Sequence, residues 1–443
     1  MKLYLTILGL FAVCLSYGQD VSSSETPKIW YLQDCISYAL DNNIVIKDAS
    51  YNKDIAELDY SKSKSARLPN LMSSASQIFT NGQSIDPITS DFVNEQIHST
   101  SFDLNTSITI FKGNQLNNQI KQNKLLVDQN SLFVAEAENN IVLSVTEAYL
   151  QALYAKEGII IAEKNLEAST KESATAKARF EAGSIAMQDY TDAISQEATN
   201  KYSLIEAKNS YAQQIIDLKQ LLELEPLTNF EIEAPNTDTY EPKIIANRNN
   251  VYEAALGYLP EYQAASLGVD VSEKDLEITK GAYLPSLSLT GSIGSGYTSV
   301  QDFNFKDQMN SNFNQRVGLS LTVPIFNRNQ TKVEVQKAKI AIDQSGIQKQ
   351  TVKKEIYKKV ETAYQNVLAT QEQLVAAEAA SEAAEESYKL AQQRFNLGGL
   401  NATDLIISQN TYTNAQQNYL QAKYLNILYT QLLEFYQGNE IKI

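Results

Sequence analysis

Apolar and polar positions along this chain follow two rhythms, and the same change from one to the other occurs twice. Between 313 and 325, Phe313, Val317, Leu319, Leu321, Val323 and Ile325 share one face of an extended segment, with Asn314, Arg316, Ser320 and Thr322 on the other. Phe102, Leu104, Ile108 and Ile110 alternate likewise with Asp103, Asn105, Ser107 and Thr109, and Leu287, Leu289 and Ile293 with Ser286, Ser288, Thr290 and Ser292. Period two predicts strands of roughly ten residues, the length a tilted strand needs to cross a bilayer. Leu71 to Thr80 is a weaker fourth strand. The polar stretches 81–100 and 298–312 read as external loops between the members of each pair.

Outside these segments the period is helical. Leu32, Cys35, Ile36, Ala39 and Leu40 recur at the spacing of one amphipathic face. From Gly113 to Arg179 there is no proline and, after 113, only Gly158; from Thr331 to Arg394 there is no proline and only Gly346. Such runs predict helices of about 60 residues, roughly 90–100 Å long. Each is followed by a glycine-marked break and a second helix, over 187–224 and 401–437.

A shift of about 215 residues superposes the two halves. Leu68-Pro69-Asn70-Leu71 falls on Leu284-Pro285-Ser286-Leu287, and Ile108-Thr109-Ile110-Phe111 on Val323-Pro324-Ile325-Phe326. Val145, Ala148 and Tyr149 fall on Val360, Ala363 and Tyr364, and Arg179-Phe180-Glu181-Ala182-Gly183 on Arg394-Phe395-Asn396-Leu397-Gly398. Matches in one order at nearly constant offset define two copies of one unit. The expected division is a first repeat over 19–225, a linker over 226–250 and a second repeat over 251–443. A helix of 60 residues cannot be buried in one small core and must pack sideways against similar helices. Four strands cannot close a barrel, and open strand edges are not viable in lipid. The chain therefore needs copies of itself.

Composition narrows the picture further. The start, with Lys2, an apolar run from Leu3 to Leu15 and small residues at Ser16 and Gly18, has the layout of a cleaved secretory signal over 1–18. Cys14 falls inside that segment, and Val13 before it does not suit lipidation. Cys35 is then the one remaining thiol and has no internal partner for a disulfide. A formal net charge of −15 argues against nucleic-acid binding. No run of 18 apolar residues follows the leader, so membrane passage would need a β-barrel.

The ordered features Trp30-Tyr31-Leu32, Cys35-Ile36, Tyr38-Ala39-Leu40 and Asn42-Asn43, the Leu-Pro-x-Leu strand starts and the Arg-Phe-x-x-Gly…Asp tips resemble the TolC family of outer-membrane efflux proteins. Ser84-Ile85-Asp86-Pro87 and Asp91-Phe92-Val93-Asn94 are similar to its Bacteroidetes branch. The resemblance implies a mainly α fold with a small β part: four strands per chain contributing to a trimeric, twelve-stranded outer-membrane barrel, and long antiparallel helices forming a periplasmic α-barrel. It implies no cofactor. It also implies an exit duct in a Gram-negative outer membrane, with a periplasmic adaptor protein and an inner-membrane pump of the RND, MFS or ABC type as partners. On this reading Arg179, Phe180, Gly183, Arg394, Phe395 and Gly398 form the periplasmic tips where adaptors dock. Asp189 and Asp404, with Asp192 one turn beyond Asp189, match the family's acidic ring at the entrance. A purely structural role, as early-turn aspartates favoured by the helix N-terminus, is the alternative. Leu400 and Phe395 stand where locked members carry an arginine and a tyrosine, a departure from that lock.

No enzymatic constellation is expected. His98, the single histidine, has no Cys or His at ligand spacing. Cys35 reads as a small core residue and Trp30 as packing for the first helix. Gly291, Gly294 and Gly296 lie in a strand, lack a following Lys-Ser/Thr, and read as sites of curvature or close packing. Two further functions stand beside efflux: the same fold serving ABC-type protein secretion, and a periplasmic coiled-coil structural protein.

Overall fold

The computed structural model describes residues 28–85, 91–225, 228–233 and 247–441. The leader expected at 1–18, Asp86-Pro87 and most of the expected linker lie outside them. In chain order the elements are β1 (Lys28–Trp30), α1 (Leu32–Asn42), α2 (Ile44–Ser65), β2 (Asn70–Ile85), β3 (Phe92–Lys112), α3 (Gln115–Glu181), α4 (Met187–Leu221), β4 (Phe230–Ile232), α5 (Arg248–Tyr258), α6 (Pro260–Gly281), β5 (Ser286–Thr298), α7 (Phe305–Ser311), β6 (Asn314–Thr322), α8 (Gln330–Asn396) and α9 (Ala402–Tyr436).

The duplication is visible element by element. Both α3 and α8 have 67 residues, about 100 Å of helix, and both α4 and α9 have 35. Each long helix is entered through the same pair of left-handed residues: Gly113 (φ 55°) with Asn114 (φ 60°), and Arg328 (φ 56°) with Asn329 (φ 63°). Asn tolerates that region better than most residues. At the first junction Gly113 also lies against Gly281, so closely that a Cβ on Gly113 would stand 2.1 Å from the Gly281 carbonyl oxygen.

The main sheet is antiparallel, in the order β2-β3-β5-β6. Register brings Met72, Asn105, Ser292 and Arg316 onto one line of one face, and Leu71, Thr106, Gly291 and Val317 onto the next line of the other. The first face continues through Asn70, Ser107, Thr290 and Gly318, and is mostly small and polar. The opposite face carries Leu104 with Ile293 and Ile108 with Leu289 and Leu319. Val317, Leu319 and Leu321 are 80%, 66% and 65% exposed. Apolar side chains that stand out of a sheet in this way have no core to fill within the chain.

A shift of register between Thr109 and Phe111 returns Phe111 to the apolar face opposite Leu287, leaving Ile110 within the irregularity. The alternation expected from Phe102 to Ile110 thus ends two residues early. Two other expectations are corrected. Residues 81–85 and 92–100 are not loop: β2 and β3 continue as a ladder to Ile85 opposite Phe92. Within the expected loop 298–312, α7 is anchored by buried Gln308. Its side-chain amide donates to the carbonyls of Thr298, Gln301 and Phe303 and its Oε1 accepts from the Thr298 N–H.

The core is a belt around the midpoints of α3 and α8. Val145, Tyr149, Leu153, Ile356, Val360 and Val367 are almost wholly inaccessible, packed with Ile427 of α9 and Val251 of α5. The belt is closed by a pairing with no hydrophobic alternation to announce it. Strand β1 runs parallel to β4, Lys28 to Trp30 against Phe230 to Ile232. The Tyr149 hydroxyl donates to the carbonyls of Trp30 and Glu233 at 3.1 and 2.7 Å. Trp30 packs edge-on against Tyr38 of α1, as expected, and also against Phe230. Cys35 is fully buried, and desolvation pushes its thiol up to about 12, far from a reactive thiolate.

Between the belt and the sheet, helices pack by a polar heptad ladder. Gln115, Gln122 and Gln129 of α3 donate to the backbone carbonyls of Ile278, Val271 and Ala264 of α6 at 3.0, 3.2 and 2.9 Å. Steps of seven forward on one helix and seven backward on the other are the geometry of an antiparallel coiled coil. Among the described residues no helix is long and apolar enough to cross a membrane.

Candidate functional site

The ends of the two long helices, far from the sheet, are the place where the repeated motif becomes a defined structure. Helix α3 ends in a Schellman turn: Gly183 N–H donates to Phe180 O at 2.9 Å and Ser184 N–H to Arg179 O at 2.9 Å. Helix α8 ends identically, with Gly398 N–H on Phe395 O at 3.0 Å and Gly399 N–H on Arg394 O at 2.8 Å. Gly183 and Gly398 have φ of 71° and 80°. A Cβ on either would meet nothing within 4 Å. Glycine is therefore required here for backbone conformation and not for space.

The two tips differ in what their arginines do. Arg179 crosses to the second tip, where Nη1 donates to Phe395 O and Nη2 to Asn396 O, each at 2.6 Å. Its guanidinium lies 5.0 Å from the centre of the Phe395 ring. It thus caps the carbonyl end of α8, where the helix dipole favours a cation. Phe395 is 3% exposed and packs with Tyr388, Ala402 and Leu405. Phe180 is only partly covered, stacked on Tyr190 at 5.5 Å. Arg394 is exposed and its side chain makes no hydrogen bond or ion pair among the described residues.

The expected acidic residues are distributed as follows. Asp192, half-buried, accepts from the Thr403 hydroxyl at 3.4 Å, joining the second turn of α4 to the first turn of α9. Asp189 lies in the first turn of α4 and is partly exposed. Asp404 is exposed, and its N–H is capped by the Asn401 side chain at 2.7 Å. The tips therefore pair Arg179 with Phe395 and Asp192 with Thr403, and leave the side chains of Arg394, Asp189 and Asp404 without a partner among the described residues. His98 lies in β3 with Phe79 edge-on at 4.8 Å.

One cluster went unread in the sequence. Glu172 accepts from Tyr388 Oη at 2.9 Å and from Gln392 Nε2 at 3.2 Å, linking α3 to α8. Burial pushes the Glu172 carboxyl above the usual carboxylate range, and the two hydrogen bonds oppose it. Burial, then Glu172, push the Tyr388 phenol up. The available signal was spacing: Glu172 and Tyr388 lie one heptad before Arg179 and Phe395, on the same faces.

A family model described as outer membrane efflux protein matches residues 35–223 and 251–432. The outer membrane protein TolC of Escherichia coli is 23% identical over 440 residues, covering 98% of this chain and 85% of TolC. The alkaline protease secretion protein AprF of Pseudomonas aeruginosa is 23% identical over 305 residues, 67% of this chain and 61% of AprF. Among solved structures, CusC, reported for its conformational changes on folding and transmembrane channel formation, superposes with a TM-score of 0.80 at 17% identity. The match covers 96% of each chain.

Proposed function

The chain belongs to the outer membrane efflux protein family, and from that premise we propose that it is the outer-membrane exit duct of a tripartite efflux system, working as a homotrimer. The observation that carries this is the pairing of a four-stranded sheet, apolar on one face and polar on the other, with helices of about 100 Å that end in paired tips. Strands β2 and β6 are the two edges of that sheet. Three copies placed edge to edge make a closed twelve-stranded barrel in outer-membrane lipid, and the helices continue it as a tube through the periplasm. The wall is passive. Asn105, Ser107, Thr290 and Ser292 offer polar groups without a catalytic arrangement, and transport is driven by the partner pump.

On this reading the tips formed around Arg179, Phe180, Gly183, Arg394, Phe395 and Gly398 meet a periplasmic adaptor, which joins the duct to an RND, MFS or ABC pump. Asp189, Asp192 and Asp404, repeated three times, form an acidic entrance that favours cations. The first repeat spans 19–225 and the second 251–443, each supplying one hairpin and one helix pair. Service to an ABC-type protein exporter is the second reading, supported by the likeness to AprF. Planar-bilayer recording of the purified protein tests the duct: discrete, long-lived conductance steps are expected, and a silent bilayer at saturating protein contradicts it.

A further inference from the structure

From the repeat and its contacts we infer that Arg394 reaches into the neighbouring subunit and caps the carbonyl end of its first long helix, at Phe180 and Glu181 of the partner subunit. This rests on the trimeric reading above and adds an inter-subunit contact at its entrance.

The shift that superposes the repeats carries Arg179 onto Arg394, Phe180 onto Phe395 and Glu181 onto Asn396. Both turns have the same hydrogen bonds and the same left-handed glycine, so both helix ends present the same carbonyls. Inside the chain the first repeat's arginine caps the second repeat's helix end. The second repeat's arginine has the same origin on its helix but no acceptor among the described residues. In a closed ring of alternating repeats, the first repeat that follows a second repeat belongs to the next copy.

Exposure follows the same asymmetry. Arg179 is half-buried and its ring partner Phe395 is 3% exposed, whereas Arg394 is exposed and Phe180 is half-exposed. The site on the partner subunit is also better suited to a cation than the site seen within the chain. Glu181 supplies a carboxylate where the second tip has the neutral Asn396.

The heptad ladder points the same way independently. Gln115 and Gln129, half-buried, donate to α6 within the chain. Their counterparts Gln330 and Gln344 are exposed and their side chains donate to nothing among the described residues, while Lys337, the counterpart of Gln122, pairs with Glu334 of its own helix. The counterpart of α6 one repeat on is α2, so these glutamines are placed to donate to α2 of the next copy. Three positions on α8 thus present unused donors toward one missing neighbour.

The test uses the full chain in detergent, with native mass measured on every sample. A short bis-maleimide is applied to a variant carrying Arg394→Cys and Glu181→Cys, and to a control carrying Arg179→Cys and Asn396→Cys; Cys35 is buried and unreactive. A photo-crosslinking amino acid at 394 alone is the second variant, should the double cysteine fail to assemble. The inference expects covalent dimers and trimers from the first pair and from position 394, and monomers only from the control. A native trimer in which position 394 cross-links only within its own chain, or not at all, overturns the inference and leaves the duct standing. A native monomer overturns the duct, and the inference with it.

Discussion

Tyr388 donates its hydroxyl to the carboxylate of Glu172 across 2.9 Å, and so ties the long helix of one repeat to that of the other one heptad above the tips. Gln392 donates to both oxygens of this pair, at 3.2 Å to Glu172 and 2.9 Å to Tyr388. A carboxylate held mainly among helices loses hydration, and burial is the first cause of its raised pKa.

That shift has a sign. Because the folded carboxyl titrates above its unfolded value, the native state binds the extra proton, and the contribution is favourable below the unfolded pKa and lost as pH rises through the folded one. Glu172→Gln, which keeps an acceptor for Tyr388 and removes the charge, should therefore raise the apparent melting temperature at pH 7. The advantage should disappear at pH 4. Thermal unfolding of both proteins at the two pH values checks this, and an advantage that grows on acidification contradicts it.

The tip turns are strained only by their backbone. Gly183→Ala or Gly398→Ala places a Cβ in open space but at a φ that L-residues avoid, at a cost of about 1 kcal/mol. Amide exchange at Ser184 or Gly399, whose N–H groups close the turns, should accelerate about fivefold while the belt is unchanged. Gly183→Asn should lose less, since Asn tolerates the left-handed region.

Close approach, not conformation, governs the other glycine pair. A Cβ on Gly281 would stand 2.5 Å from the Gly113 carbonyl oxygen and 2.6 Å from Cγ of Gln115; the side chain can turn aside, the backbone carbonyl cannot. Gly281→Ala should destabilise by about 1–3 kcal/mol and cut the recovery of assembled protein. Gly158→Ala, in the middle of α3 with nothing within 4 Å, should instead stabilise by about 0.5–1 kcal/mol. Chemical unfolding of the two variants side by side separates the cases.

Much of this architecture was legible in the sequence, for identifiable reasons. The long helices follow from proline-free runs, and the tip turns from glycine three residues after Arg-Phe. Asn401 ahead of Asp404 is an ordinary helix-start signal that the structure uses. The apolar face through Leu104, Ile108, Leu289 and Leu319 follows from period two.

What was missed depends on partners distant in the chain. The ladder beyond Thr80 is built from polar residues such as Asn81 and Gln96, which look like loop until a partner strand satisfies their backbone. Strands β1 and β4 are three residues each and meet across some 200 residues, too short to show a period. The unequal roles of Arg179 and Arg394 cannot be read from identical motifs, because the difference lies in which neighbour each one faces.

The entrance aspartates carry an electrical prediction. Asp189→Asn with Asp404→Asn removes up to six carboxylates from a trimer without changing side-chain shape, so the reversal potential in a KCl gradient should move toward zero. An unchanged reversal potential removes these residues from the conduction path and returns them to the role of helix-start aspartates.

The central claim is that this chain closes its barrel only as three copies, and native mass tests it most directly. After expression from Met1 and detergent extraction, the account predicts recovery from the outer-membrane fraction at about three times the mass of the chain. A monomer recovered from the soluble periplasmic fraction would mean that β2 and β6 find no partner strands. The long helices would then belong to a structural coiled coil and not to a duct.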